Sequence, residues 1–542
     1  MPMLINRSTL GPKRAALAGA LCLLLVLFLW SRSDGSPPRL PLSSDRLISV
    51  ASFPTSKLVR RIDGYNVLEN VLAHDDKSYI ITDDLSTINS NLIISQPGDR
   101  KHSQLKILSR AQADNLLRGT CRTYPEACEE VGDDLELRVQ HLSGISLYLA
   151  DEPDAPTSSS GLEGYHHYAA ELIFAGYRAG MSSLTRSEAD AVIMGKQEDI
   201  SRVIFPGRDL GGGGGGWGDE AGLGSNLKLN EMIVRHGLAC DVVEQEHWQQ
   251  FTAREAPWVL LEKVVIVDRK AATQNHSSDP FLWNQPALSA LQTPVGATNP
   301  AAFFARPRTR LIRHLLQGPD MHIPTLRKKR NKSFNGKQVK IVYFSQQGSN
   351  RRLVNEDHEF LVELLESLEK QSRGRFGQKV SVEVVDPEVV SAEDQVRSVL
   401  DADIVLGIHD SPLTHTLWMS PGGVVIEIFP PNAFLRDYQI IAEALGHRHV
   451  AVWNDRQYKA EEWMKHEGEL RREALNDGAV IPVRVASTIT AIQTHDLKIL
   501  QLAFAAGSWI YSPGSTDSYY EDVARSHLMC ANVAMYEEHP EM

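Results

Sequence analysis

His167 and Glu171 stand four residues apart in the run GYHHYAAELIFAGYRAG, residues 164–180. That spacing puts an imidazole and a carboxylate on one face of a helix. His167, Glu171, Phe174 and Arg178 recur at helical intervals, so a helix is predicted here. A carboxylate so placed orients or charges the imidazole, which suits a proton-relay pair. The same spacing also suits a surface ion pair or a buried structural histidine. A second group lies farther along: Arg351 and Arg352, then His409, Thr414 and His415, then Glu427. Two arginines near a helix start neutralise a diphosphate, helped by backbone N–H groups. A carboxylate at a strand end accepts both hydroxyls of a ribose. Together these residues outline a nucleotide-diphosphate site without a P-loop.

The elements that must hold the second group are legible around it. Ile404–Ile408 is an apolar run of strand length, followed by the polar turn His409-Asp410-Ser411-Pro412. Leu413–Met419 reads as a short helix, ended by Pro421-Gly422-Gly423, and Val424–Phe429 as a second buried strand. Strand, turn, helix, strand is a βαβ unit, and its apolar strands predict a parallel sheet covered on both faces. Further strands are expected at 339–344, 380–385 and 449–453, with helices at 355–371 (inner face Phe360, Leu361, Leu364, Leu365, Leu368), from Ser391, and at 435–445. Strands alternating with helices make a doubly wound α/β domain, which binds ligands beyond the carboxyl ends of its strands. Asp401-Ala402-Asp403 precedes a strand at its amino end, away from that side, so it is not read as a metal site. Upstream, 201–206 and 260–268 read as buried strands, and 45–150 shows short strand-like runs. The six glycines 211–216 lack the spaced order of a phosphate cradle and read as an insertion. No G-x-G-x-x-G follows a predicted strand, which argues against a nicotinamide dehydrogenase.

The whole chain sets bounds. Its 542 residues exceed one ordinary core and imply two or three domains. A net charge of −12 argues against an overall basic nucleic-acid binder. No cysteine or histidine cluster has zinc spacing, so no metal is expected. Cys121 and Cys128 are near enough in sequence to form a disulfide in an oxidising lumen, or to remain two thiols. Residues 1–14 carry Arg7, Lys13 and Arg14 and form a cytosolic tail; 15–30 are uninterrupted apolar, roughly 24 Å as a helix. The bulky, basic end of that run, Leu29-Trp30-Ser31-Arg32, favours an uncleaved transmembrane signal-anchor over a cleaved signal peptide. Residues 31–44 read as a stem, and Asn275-His276-Ser277 and Asn331-Lys332-Ser333 are glycosylation acceptors for a luminal chain. The Pro-, Asn- and Ser-rich stretch 270–336 is read as an interdomain linker. The expected organisation is an N-terminal acceptor-side α/β domain at 45–336, a nucleotide-binding α/β domain at 337–510 and a tail at 511–542.

The runs RRLVNEDHEFLVELL, EDQVRSVLDADIVLGIHDSPLTHTLWMSPGGVVIEIFP and ALGHRHVAVWND closely resemble the catalytic domain of glycosyltransferase family 61, in particular its fungal members. GYHHYAAELIFAGYRA, SRVIFPG and VVIVDRKAA resemble further segments of that family, so the likeness spans roughly 160–455. The resemblance implies a GT-B-like pair of Rossmann-type doubly wound domains behind an N-terminal transmembrane helix. It implies a single-pass type II protein of the Golgi or ER membrane with its catalytic part in the lumen. The activity implied is inverting transfer of xylose, arabinose or N-acetylglucosamine from a uridine-diphosphate sugar to a glycan or glycoprotein hydroxyl, without a metal. Carried over residue by residue, Arg351, Arg352, His409, Thr414, His415 and Glu427 are donor-side residues. His167, as base, and Glu171 face the acceptor.

One departure stands out. The family's turn after the histidine contains glycine, in the form H-G-A/N-G-L-T; here it is His409-Asp410-Ser411-Pro412-Leu413-Thr414. Glycine lets a backbone approach a ligand, whereas Asp410 adds negative charge near the expected diphosphate and Pro412 removes an N–H. The alternative reading is therefore a catalytically degenerate member that acts as a glycan-binding or complex-forming scaffold.

Overall fold

The computed structural model describes residues 43–95, 104–132, 134–150, 165–207, 229–274, 286–316, 339–349, 351–375, 379–430, 435–453, 456–458 and 480–481. The expected anchor at 15–30, the glycine run at 211–216, Asn275, Asn331 and the tail at 511–542 lie outside these residues. Among the described residues no helix is long and apolar enough to cross a membrane.

The first half is a mixed sheet of strands β1 (Ser43–Ser49), β2 (Lys57–Arg60), β3 (Tyr65–His74), β4 (Lys77–Thr82), β5 (Gln104–Ser109), β6 (Cys128–Val131), β7 (Asp134–Leu149), β8 (Ile200–Ile204), β9 (Asp241–Val243) and β10 (Trp258–Val267). The order is β5-β4-β3-β10-β7-β8-β9, with β1 and β6 on β7 and β2 on β3. Strands β10, β7, β8 and β9 run parallel, but β3 runs antiparallel to β10. Strands β1 and β6 on β7 and β2 on β3 are also antiparallel, and β3 and β4 form an antiparallel hairpin. The two turn residues of the β3–β4 hairpin, Asp75 and Asp76, both have positive φ (51° and 55°), the sign pattern of a tight primed turn. The first half is therefore mixed, where a doubly wound parallel sheet was expected.

Helix α1 (Arg110–Thr123) packs beside this sheet, started by a reciprocal capping box between Ser109 and Gln112. From its last turn a disulfide joins Cys121 to Cys128 at the start of β6, with Cα atoms 5.5 Å apart. The loop it closes is short, so the chain-entropy argument gives it about 2 kcal/mol. Replacing both cysteines by serine is expected to lower unfolding stability by about that amount, read as a denaturation midpoint. A reductant should shift the native protein by the same amount and leave the double variant unmoved.

The second half is the doubly wound sheet that the sequence predicts. Strands β11 (Val339–Phe344), β13 (Val380–Val385), β14 (Ile404–Ile408), β15 (Val424–Ile428) and β16 (Arg448–Trp453) are parallel in the order β13-β11-β14-β15-β16, with β17 (Arg456–Tyr458) antiparallel at the edge. A short β12 (Arg352–Leu353) pairs with β18 (Val480–Ile481). The mixed α/β architecture with parallel strands is Rossmann-like. Strand β14 is buried along its whole length. Its Ile404, Leu406 and Ile408 pack in one cluster with Leu361, Leu365 and Leu368, while Val405 joins the core on the other face. Phe360, expected on the inner face of that helix, is 42% exposed, one position off the buried stripe.

A helical layer sits between the sheets. It comprises α2 (π-helical His167–Phe174 continuing as Ala175–Ser182), the turn Leu288–Gln292 and α3 (Ala305–Leu316). One apolar cluster runs from Leu147, Val265 and Val267 of the first sheet through Phe174, Phe303, Phe304 and Leu311 to Phe344, Val405 and Trp418 of the second. Much of the stretch read as an interdomain linker is thus packed helix. Asn299 and Pro300 open a short 3-10 turn, Pro307 is accommodated in the first turn of α3, and the apolar Leu311, Ile312 and Leu315 recur at helical spacing along it.

Candidate functional site

The order of the second sheet reverses between β11 and β14, so the crevice at their carboxyl ends is where a ligand is expected. The loop after β11 and the turn after β14 meet there. Gln346 is 5% exposed and donates from Nε2 to Asp410 Oδ2 at 3.0 Å. Ser411 N–H donates to Asp410 Oδ1 at 2.7 Å, and Arg351 Nη1 lies 3.7 Å from the same oxygen. Arg351 also donates to the His409 carbonyl at 3.3 Å. Asp410 is therefore hydrogen-bonded, paired with Arg351 and held as the N-cap of the 3-10 turn Ser411–Trp418. Pro412 falls in the first turn of that element, where its missing N–H has no intrahelical partner to lose.

Behind this crevice sits a buried carboxylate. Glu427 is fully buried, and its neighbours in register on β14 and β16 are Gly407 and Ala451. These small residues leave room for the carboxyl group. A Cβ on Gly407 would itself meet Leu413 Cδ2 at 3.2 Å. His409 lies two residues beyond Gly407 and His449 two before Ala451, so both histidines share that face. His409 Nδ1 contacts Glu427 Oε1, and His449 Nε2 lies 2.6 Å from Oε2. Burial pushes the Glu427 carboxyl up to about 7, against the pull of His409; burial also drives His449 down to about 4.

The helical layer supplies the opposite wall. His167 Nδ1 lies 2.8 Å from Glu171 Oε2, and Arg269 Nη1 donates to the same oxygen at 2.8 Å. Burial alone would raise the Glu171 carboxyl, but His167 and Arg269 hold it well below the usual carboxylate range. Glu171 in turn raises His167, outweighing its burial. The His167 side chain keeps 39% of its exposure while Glu171 keeps 6%, so the imidazole faces the opening and the carboxylate backs it. The wider π-helical turn carries both residues, a feature frequent at functional sites.

The two walls touch. His166 Nδ1 is 3.0 Å from Thr414 Oγ1, and Trp418 Nε1 donates to the Tyr165 hydroxyl at 2.8 Å. Burial lowers His166 to about 4, so it stays neutral at pH 7. Between the walls stands Asp437, at the start of helix α4 (Asp437–Ala444) and partly exposed. Burial, then the Glu171 charge, push its carboxyl up to about 7, against His167 and Arg351.

Among the residues expected on the donor side, Arg351 and His409 reach the crevice. Arg352 turns back onto the Ser349 carbonyl at 3.3 Å. Thr414 is fully buried against His166, and His415 lies in the seam with Nε2 2.9 Å from Gln395 Oε1 and its ring 4.7 Å from Tyr165. Burial drives His415 down to about 3. Both oxygens of Glu427 are engaged by imidazoles where ribose hydroxyls were expected. Asp401 and Asp403 bond Lys340 at the amino end of the sheet, at 2.9 Å each. Sequence reasoning did not single out His166, Arg269, Gln346, Asp437 or His449. The His166-His167 doublet and the segments VVIVDRKAA and ALGHRHVAVWND held the available signals.

Residues 247–426 match the sequence model of the family described as Glycosyltransferase 61. The match runs from the helix before β10 to β15 and takes in Arg269, Arg351, His409, Thr414 and His415. No curated protein matches the chain.

Proposed function

We propose that this chain, which carries a glycosyltransferase 61 domain at residues 247–426, transfers a sugar from a uridine-diphosphate donor to a glycan or glycoprotein hydroxyl with inversion. The observation that carries the reading is the opposition of two groups across one cleft. Arg351 lies on the switch-point crevice, and the His167–Glu171–Arg269 cluster lies on the helical wall. Both bear electrostatically on Asp437, which lies between them.

Inversion is one displacement. The acceptor oxygen bonds to the anomeric carbon as the bond from that carbon to the diphosphate oxygen breaks, and its electron pair leaves with the diphosphate. His167 Nε2 takes the hydroxyl proton, and Glu171 stabilises the imidazolium that results. Arg351 neutralises the departing diphosphate. On this reading the two halves work as the donor and acceptor sides of a GT-B-type enzyme, no metal is needed at the diphosphate, and 15–30 anchor the chain in a Golgi or ER membrane with the catalytic part luminal. The pairing of Asp410 with Arg351 supports the rival reading, a scaffold that binds glycans without turnover, because a diphosphate must compete with that carboxylate.

Calorimetry with uridine diphosphate, with and without a divalent cation, separates the two. Metal-independent binding weakened at least about tenfold by Arg351→Ala is expected, one lost charge-assisted contact being worth about 1.5–3 kcal/mol. No binding by the folded native chain would favour the scaffold.

A further inference from the structure

Glu427 has no open surface with which to bind a ribose, yet it is built with care: a buried carboxylate between two imidazoles, given space by Gly407 and Ala451. We propose that Glu427 and His449 are positioning residues that set which proton His409 Nε2 presents to the donor diphosphate. The inference rests on the donor-site reading above.

The argument is one of hydrogen counting. A carboxylate only accepts, so an ionised Glu427 requires an N–H on His409 Nδ1 and another on His449 Nε2. With both rings neutral, His409 Nε2 is then a lone pair. It carries no hydrogen bond among the described residues, and the ring is fixed between Phe429 (centroids 5.2 Å) and Tyr438 (5.3 Å). A lone pair repels a phosphate oxygen. Adding one proton to the pair changes this. If the proton sits on the ring, Nε2 bears a hydrogen. If it sits on Glu427 and is donated to Nδ1, the ring hydrogen must again be on Nε2. In both of these forms the clamp with one more proton offers the diphosphate a donor; a proton on Oε2 donated to His449 does not. Diphosphate binding therefore selects the forms with the hydrogen on Nε2, and the clamp without the extra proton has none to offer.

Diphosphate binding at His409 is thus coupled to uptake of one proton by the clamp, and the carboxyl raised to about 7 puts that uptake in the neutral range. The charged and titratable groups that share this space are Tyr438, Asp437 and Glu443 of α4, His166 of the helical wall, and Arg351 and Asp410 of the loops.

The test measures affinity of the full chain for uridine diphosphate at pH 6 and pH 8. The native protein is expected to bind about tenfold tighter at pH 6, the fall expected for one proton with its midpoint near 7. In Glu427→Gln, which has the same shape and no titration, the ratio should collapse to that of the ligand and remaining groups. Those contributions are common to both proteins and cancel in the comparison. His449→Leu and His449→Asn provide a second arm should Glu427→Gln fail to fold. Leucine removes the N–H on Oε2, moves the titration upward and shrinks the ratio, whereas the asparagine amide restores the N–H and the ratio. Native binding with failed collapse in Glu427→Gln, or leucine and asparagine variants both like the native chain, overturns the inference. Absence of binding by the native chain instead overturns the donor-site reading beneath it.

Discussion

His167→Ala is expected to lower sugar transfer by about 10²–10⁴-fold while leaving affinity for uridine diphosphate within about twofold, the loss typical of a removed general base. The separation of the two effects follows from geometry. His167 lies on the helical wall with Glu171 and Arg269, while Arg351 and His409 belong to the loops of the second sheet. The pH profile adds a sign. Glu171 raises His167, so the neutral, proton-accepting ring is lost as the pH falls through a value above the ordinary 6.5. The rate, measured as kcat/KM, should therefore fall on the acid side from above 6.5, and Glu171→Gln should move that fall to lower pH. Glu171→Gln also removes the negative charge from the contact with Arg269, which is only 14% exposed. Taking the charge from one side of a buried ion pair destabilises it, so this variant should lose some stability as well as rate. His167→Ala should lose rate alone. An alanine variant that turns over at the native rate would remove His167 from the reaction and leave Asp437, the other half-buried acid on the cleft, as the candidate.

Why some of this was legible and some was not is a question of range. Strands β14 and β15 were readable because a strand buried on both faces must be a continuous apolar run, whatever surrounds it. The helix carrying His167 and Glu171 was readable because its periodicity and its pair are local. The hairpin at Asp75-Asp76 was not, since two aspartates at positive φ lack the glycine that marks such turns. The rest of the helical layer, 288–316, was missed because composition and packing disagree there: Asn299 and Pro300 start a short turn, and Phe303 and Phe304 behind them are buried. The contacts that make the site were hidden for another reason. Arg269 meets Glu171 across 98 residues and His166 meets Thr414 across 248, and no spacing rule reaches so far. Glu427 shows both sides. Its place at a strand end was read correctly, but its partners depend on which residues flank it in the sheet, and that depends on strand order.

The seam that brings the walls together depends on a second buried arginine, and its removal is expected to have the largest effect on stability. Arg308 of α3 is 6% exposed. Its Nε donates to the Trp418 carbonyl at 2.7 Å, and Nη2 donates to the Leu400 carbonyl at 3.0 Å and to Ser420 Oγ at 3.2 Å. Trp418 ends the 3-10 turn that carries Thr414 and His415, and Leu400 caps the helix Ala392–Val399. One guanidinium therefore closes the carboxyl ends of two elements, where carbonyls have no partner within their own helix and a cation is favoured. Burial lowers its pKa to about 10, which still leaves it charged at pH 7. Leu400 O keeps a bond from Ser420 when the arginine is lost, so Trp418 O bears most of the penalty. Charge-assisted bonds at about 1.5–3 kcal/mol each, together with the space left by the side chain, put Arg308→Ala at about 3 kcal/mol or more. Lysine keeps the charge but cannot fork between two carbonyls, so Arg308→Lys should recover only part of the loss. Denaturant unfolding measures both. The same variants should weaken binding of uridine diphosphate, because the turn that Arg308 holds starts at Asp410 and His409. An alanine variant with native stability would mean that the two ends are closed by other groups and that α3 only fills space between the sheets.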